Sequence, residues 1–422
     1  MESIIISGGR KLSGTINSSG SKNASLPILA LSILANSLEV NNIPNLADVK
    51  SMLNLLKSLG VNYSINKKNS IILNASGKIS SIAKYDLVRK MRASFLVLGP
   101  LLTKNGFAKV SLPGGCAIGL RPVDLHVFAM KKLGAEIQLE DGYVIAKAKK
   151  GQLIGNKINF PQVSVGATEN AIIASVFAKG ETIIQNAAME PEVQDLCKCL
   201  ISMGVKIDGT GTPSISIQGV NSLKKISHSI IFDRIEACSF IIAAAITKSH
   251  LSIRNVNISH INSFLNIMKK MGLKFKLSEN IVEVFESGDL KPIDLKTSAY
   301  PGFPTDMQAQ LVTLACLSEG NSKIQENIFE NRFMHIPELN RLGAQIKIKG
   351  NKAFIKGNSN FIGAEVMATD LRASVSLILA GLAAQGKTKV SRVYHLDRGY
   401  EKIDVKLSAC GAEIYRKKNE NS

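Results

Sequence analysis

The chain has 422 residues, and 52 Lys plus Arg against 33 Asp plus Glu give it a net charge of +19. Single cores stop growing well short of this length, so two domains of about 200 residues are expected. No apolar run approaches the ~18 residues of a membrane span. Trp is absent and Tyr and Phe are few, which argues against a base-stacking platform for nucleic acid.

In chain order, Ile4-Ile5-Ile6 reads as a strand. It lacks the basic flank and long apolar region of a signal peptide. A helix then begins near Ser21-Lys22-Asn23, and a second ends at Ser58-Leu59-Gly60 before a polar-alternating strand. This couplet recurs. Apolar helices are expected to start near Asp86, Ser164, Asp233, Thr305 and Asp370, and amphipathic ones to end at Gly134, Gly204, Gly272, Gly343 and Gly411. The six glycines lie 68–74 residues apart, too far for one solenoid turn. The unit is a small βα subdomain used six times, three per domain. Glycine suits the position because the residue after a helix often takes the left-handed conformation. Five of the six apolar helices have Ser, Thr or Asp where an N-cap belongs. Stretches such as Ser239-Phe240-Ile241-Ile242-Ala243 are apolar all round and therefore buried. Each repeat should hide one helix and expose another.

Cys197, Cys199, Cys238, Cys316 and Cys410 sit in apolar helical surroundings and read as small buried hydrophobes. No cysteine pairing or His/Cys/carboxylate spacing suggests a metal, and no cofactor is implied. With no signal peptide and reduced thiols expected, a cytoplasmic protein is indicated. The positive charge is spread along the chain. It fits a diffuse field that favours small anionic substrates, or a solvated surface with no partner. Oligomeric state leaves no mark on the sequence.

One segment breaks the pattern: Leu112-Pro113-Gly114-Gly115-Cys116, followed by Gly119-Leu120-Arg121-Pro122. No regular element tolerates this run, so it is a loop. Its thiol is either reactive, with Arg121 favouring the thiolate, or incidental; spacing leaves both open. His126 reads as a satisfied polar residue at the next helix start. Other polar residues gather at helix starts, including Lys22, Asn23, Arg92, Asp306, Arg332, Asp370, Arg372 and Arg398. Helix N-termini attract anions. Taken singly, each of these residues reads as a cap or surface ion pair. Together they suggest an anion cleft.

These residues resemble the UDP-N-acetylglucosamine enolpyruvyl transferase family. The matching stretches include Ser19-Gly20-Ser21-Lys22-Asn23-Ala24, the Cys116 loop through His126, Val163-Ser164-Val165-Gly166-Ala167-Thr168, Phe303-Pro304-Thr305-Asp306, Glu330-Asn331-Arg332, Thr369-Asp370-Leu371-Arg372 and Asp397-Arg398-Gly399-Tyr400. They follow family order over nearly the whole chain. The resemblance implies an α/β fold of two inside-out α/β domains, each of three βα repeats. One domain would span 22–231 and the other 1–21 plus 232–422, with the active site in the cleft between them.

The resemblance also implies transfer of the enolpyruvyl group of phosphoenolpyruvate to the 3′-hydroxyl of UDP-N-acetylglucosamine, with release of phosphate. This is the first committed step of peptidoglycan synthesis. Cys116 would protonate C3 and Asp306 would be the base at the sugar hydroxyl. Lys22, Arg121 and Arg398 would clamp phosphate, with Arg332 and Arg372 near the carboxylate. Asp370 would position the reacting centre, and Asn23 would hold the substrates. Arg92, Arg121, Pro122, Val123, Asp124, Leu125, Gln162, Val163, Ser164 and Val165 would bind the nucleotide, with Ile328 beside the sugar. Gln162 departs from the Lys common there, which puts one ionic contact to the diphosphate in doubt. The Gly114-Gly115-Cys116 loop is expected to act as a lid.

Overall fold

The computed structural model describes residues 2–67, 69–114 and 123–418. Among them the chain forms two compact units. Residues 2–19 and 232–418 make one, and residues 20–114 and 123–231 make the other. Each unit has its own hydrophobic core.

Each unit contains three four-stranded sheets, six in all among the described residues. In the sheet 157–159, 181–185, 214–218, 206–208 the first two strands are parallel and the rest antiparallel. The Val165–Ser175 helix makes the parallel crossover, and the Pro191–Ser202 helix leads into the hairpin. Other repeats follow this plan, with an exchange at the unit boundary. Strand Ser13–Asn17 runs parallel to His250–Arg254, whereas Ile226–Ser229 runs parallel to Leu38–Asn41. Strand Glu2–Ser7 lies between Lys387–Ser391 and Glu413–Lys418.

The periodic glycines behave as expected. Gly60, Gly134, Gly204, Gly272, Gly343 and Gly411 all have φ between 89° and 104°. Each follows an outer helix and precedes a hairpin strand. The inner helices are Lys22–Leu31, Leu98–Asn105, Val165–Ser175, Arg234–Ile246, Gln308–Ala315 and Leu371–Ala383. Every residue of Arg234–Ile246 is buried, as its all-round apolar pattern requires. The outer helix Asn262–Lys270 buries only Phe264, Leu265 and Met268.

Four inner helices carry the expected side-chain caps. Ser21 accepts from Ala24 N–H at 3.3 Å and Ser164 from Ala167 N–H at 3.4 Å. Asp233 accepts from Ile235 and Glu236 N–H, and Asp370 from Arg372 and Ala373 N–H. The start expected near Asp86 is incorrect. Asp86 lies in a four-residue helical turn, Tyr85–Val88, and the inner helix begins at Leu98 after a 3-10 segment, Arg92–Val97. No helix among the described residues is long and apolar enough to cross a membrane.

The five cysteines expected to be buried are so, and free. Burial pushes the thiols of Cys197, Cys199 and Cys316 up to about 12, which leaves them unreactive as nucleophiles near neutral pH.

Candidate functional site

In the unit that contains the C-terminal half, two of the candidate residues, Arg332 and Arg372, converge on a third, Asp306. This residue sits in the 3-10 turn Thr305–Met307 that opens an inner helix. Its Oδ1 accepts from Arg332 Nη2 and its Oδ2 from Arg372 Nη2, both at 2.8 Å. The two arginines are buried, and Asp306 keeps about a quarter of its side-chain surface. Two desolvated guanidiniums are tolerated here because the shared Asp306 carboxylate compensates for the burial of both. Burial works against the charge of Arg372, but Asp306 and then Tyr400 outweigh it and its pKa is raised.

Behind Arg372 lies a polar network that sequence reasoning missed. Tyr400 is buried, and its hydroxyl is 2.8 Å from Ser239 Oγ, 3.2 Å from Gln310 Nε2 and 3.4 Å from Arg372 Nη1. Tyr400 and Gln310 fall within recognisable motifs, but their convergence with Ser239 has no local signal. The network fixes the guanidinium plane of Arg372, which matters for bidentate recognition of a carboxylate.

Asp370 is partly committed. Its Oδ1 caps the Leu371–Ala383 helix through Arg372 N–H at 2.7 Å and Ala373 N–H at 3.1 Å. Its Oδ2 lies 3.5 Å from the Thr369 hydroxyl. One oxygen therefore holds the backbone, and among the described residues the other makes only a long hydrogen bond to a hydroxyl. Nearby His335 is buried, and burial lowers its imidazole to about 4. Asp370 opposes that shift and Arg332 adds to it. His335 is thus neutral at pH 7 and adds no charge beside the arginines.

Glu326, also missed, links two candidates. Its Oε2 accepts from Thr305 Oγ1 at 3.0 Å, beside Asp306, and its Oε1 accepts from Ile328 N–H at 2.8 Å. Ile328 is exposed, a placement that suits an apolar contact with a ligand. Arg398 ends the 3-10 segment Val393–Arg398. The adjacent Asp397 is gripped by Arg416 Nη1 at 3.0 Å and Nη2 at 2.5 Å.

In the other unit, Lys22 is the first residue of its inner helix. Its Nζ is 3.5 Å from Asp48 Oδ2, and both side chains are largely buried. Asp48 had no sequence signal. Asn23 follows Lys22 and is partly exposed. The turn before Lys22 is tight: a Cβ on Gly20 would lie 1.8 Å from Asn42 O. Gly20→Ala should therefore cost at least about 1–3 kcal/mol, read as a lowered urea midpoint. An unchanged midpoint would show that the turn yields freely.

Arg92 opens its 3-10 segment and is partly exposed. Val123 is partly exposed, Asp124 exposed and Leu125 buried at the start of the Asp124–Lys132 helix. Gln162 and Val163 are exposed, and Ser164 and Val165 begin an inner helix. Cys116, Arg121 and Pro122 lie outside the described residues.

Residues 6–407 match the sequence model of the family described as EPSP synthase (3-phosphoshikimate 1-carboxyvinyltransferase). Among similar curated proteins, the UDP-N-acetylglucosamine 1-carboxyvinyltransferase of Pelagibacter ubique (strain HTCC1062) is 54% identical over 417 residues. That alignment covers 99% of this chain and 100% of the relative. The protein of the same name from Zymomonas mobilis is 52% identical over 423 residues, with 99% of each chain covered. Among solved structures, the enolpyruvyl transferase NikO from Streptomyces tendae superposes with a TM-score of 0.87 at 24% identity, covering 98% of both chains. EPSP synthase from Acinetobacter baumannii gives 0.77 at 19% identity, covering 99% of this chain and 100% of that one. Both structures share the α/β architecture.

Proposed function

Because this chain belongs to the enolpyruvyl (1-carboxyvinyl) transferase family, we propose that it transfers the enolpyruvyl group of phosphoenolpyruvate to the 3′-hydroxyl of UDP-N-acetylglucosamine, in the cytoplasm. The acceptor is assigned from the names of the full-length relatives at 52–54% identity. The Cys116 loop and the Val163-Ser164-Val165 stretch favour it over shikimate 3-phosphate.

The observation that carries the chemistry is the Arg332–Asp306–Arg372 arrangement. Phosphoenolpyruvate brings a carboxylate of the same charge as Asp306. Once that group engages the guanidiniums, Asp306 has lone pairs to spare for a hydroxyl proton. The sugar oxygen then attacks C2 as Asp306 takes its proton, and Cys116 delivers a proton to C3. In the second half, C3 gives up a proton to the thiolate that the first step left on Cys116, the C2–O bond to phosphate breaks with the electron pair leaving on phosphate, and the double bond reforms. Lys22, Arg121 and Arg398 stabilise the departing phosphate. Asp370 offers Oδ2 toward the reacting centre. Arg92, Arg121 to Leu125 and Gln162 to Val165 hold the nucleotide, with Ile328 beside the sugar and Asn23 beside both substrates. Gln162 supplies a hydrogen bond where a Lys would supply charge.

The test is phosphate release from phosphoenolpyruvate with and without UDP-N-acetylglucosamine, in wild type and Cys116→Ser. Release that requires the UDP-sugar and falls about 100-fold or more in the variant is expected. Release that responds instead to shikimate 3-phosphate would overturn the acceptor, and full activity in Cys116→Ser would remove the thiol from the proton transfer.

A further inference from the structure

His126 takes no part in the chemistry above, yet it touches three of the proposed nucleotide-binding stretches within one unit. It is the third residue of the Asp124–Lys132 helix, directly after Val123 to Leu125. Its ring meets the edge of Phe95 in a T-shaped contact, 5.3 Å between centroids, on the 3-10 segment that Arg92 opens. On another side it lies against Gly166, where a Cβ would come within 3.2 Å of Cε1 and 3.4 Å of Nε2. Gly166 is in the first turn of the helix capped by Ser164.

The fourth neighbour settles the tautomer. Asn170 Oδ1 accepts from Gly99 N–H at 2.7 Å, and Asn170 Nδ2 donates to Phe95 O at 3.3 Å. Those two backbone partners orient the amide, since flipping it would set donor against donor and acceptor against acceptor. The same Nδ2 is 3.0 Å from His126 Nδ1. Nδ1 must therefore accept, and the ring proton of a neutral imidazole must sit on Nε2. Burial, followed by the Arg92 charge, lowers the ring to about 3, so neutrality holds at any working pH.

We propose that His126, as a neutral Nε2-protonated imidazole bonded to Asn170, is a positioning residue for the nucleotide-sugar site. It holds the Arg92 turn, the 123–125 segment and the Ser164-capped helix start in one frame. This rests on the reading of the acceptor as a UDP-sugar. A neutral ring suits the role: it supports the arginine without adding a second cation that would repel it.

Two substitutions separate the hydrogen bond from the packing. His126→Phe keeps a ring against Phe95 and Gly166 but removes the acceptor. His126→Asn keeps an acceptor for Asn170 Nδ2 and gives up the ring. In the full-length enzyme, His126→Phe should raise KM for UDP-N-acetylglucosamine about tenfold, the scale for one stranded buried donor. KM for phosphoenolpyruvate and kcat at saturating UDP-sugar should change less than about threefold. His126→Asn should recover part of the loss. Nitrogen NMR of the wild type should show one histidine fixed with its proton on Nε2 from pH 5 to 8. Unchanged KM in both variants, better binding by Phe than by Asn, or a ring that titrates near its ordinary value would each overturn the assignment. If either variant fails to fold, Asn170→Ala with the same KM split decides. Wild type that does not bind UDP-N-acetylglucosamine would sink the acceptor reading and the positioning role together. The tautomer assignment would survive that result.

Discussion

Asp306→Asn is expected to slow phosphate release by about 100- to 10,000-fold while leaving most of the fold's stability in place. Asp306→Ala should be equally inactive but markedly less stable. The difference follows from the pairing. Asp306 offers one oxygen to Arg332 and the other to Arg372, each at 2.8 Å. Asn retains a carbonyl oxygen for one guanidinium, whereas Ala leaves two buried cations facing each other. Removing one partner of a buried ion pair costs about 3–5 kcal/mol. Asp306 keeps 26% of its side-chain surface, so the low end, about 3 kcal/mol, applies to Ala. Urea unfolding measures the stability arm and the coupled phosphate assay the activity arm. A normal rate in Asp306→Asn would remove Asp306 as the base. Equal stability in the two variants would mean that the arginines find other partners at no cost.

Glu169→Gln should make the protein more stable than wild type, by an amount that grows with pH. Glu169 is buried in the Val165–Ser175 helix, and among the described residues its Oε1 has no hydrogen-bond partner. Burial, then Glu192, then Glu190 hold its carboxyl well above the usual range. In the unfolded chain the same group ionises near pH 4.3. Above that pH the unfolded state has lost the proton that the folded state keeps, so wild-type stability falls as pH rises. The decline continues until the folded carboxyl itself ionises, at up to about 1.4 kcal/mol per pH unit. The Gln side chain has nearly the same shape and no proton to lose. Urea midpoints from pH 4.5 to 8 should diverge steadily, and parallel curves would show that Glu169 is ionised in the native protein. Glu236 is also raised, burial outweighing Lys406, so wild type and variant share that contribution.

The repeat architecture was legible because it is written locally. A glycine at a helix end needs only its own φ, and six of six took it. Ser21, Ser164, Asp233 and Asp370 cap helices through contacts two or three residues away. The second repeat escaped for the opposite reason. The Leu98–Asn105 helix has no side-chain cap of its own, and Gly99 N–H is satisfied by Asn170, 71 residues distant. Asp86, a polar residue before an apolar run, supplied a false start. Arg332, Arg372 and Asp306 present the same difficulty in the site. Each alone resembles a surface ion pair, and only the family resemblance grouped them. Tyr400, Gln310 and Ser239 come from three separate elements, so no spacing announces their meeting.

The placement of strand Glu2–Ser7 bears on how the protein is made. It is synthesised well before its two neighbours in the sheet, Lys387–Ser391 and Glu413–Lys418. It cannot be paired on both sides until Glu413–Lys418 has been translated. Meanwhile Ile4, Ile5 and Ile6 form a short, strongly apolar strand with unsatisfied backbone on both edges, the kind of segment that seeks other chains. The entropy of closing so long a loop grows only logarithmically with its length, so the finished sheet loses little. The burden falls on the nascent chain, which must keep Glu2–Ser7 from misplaced pairing until Glu413–Lys418 arrives.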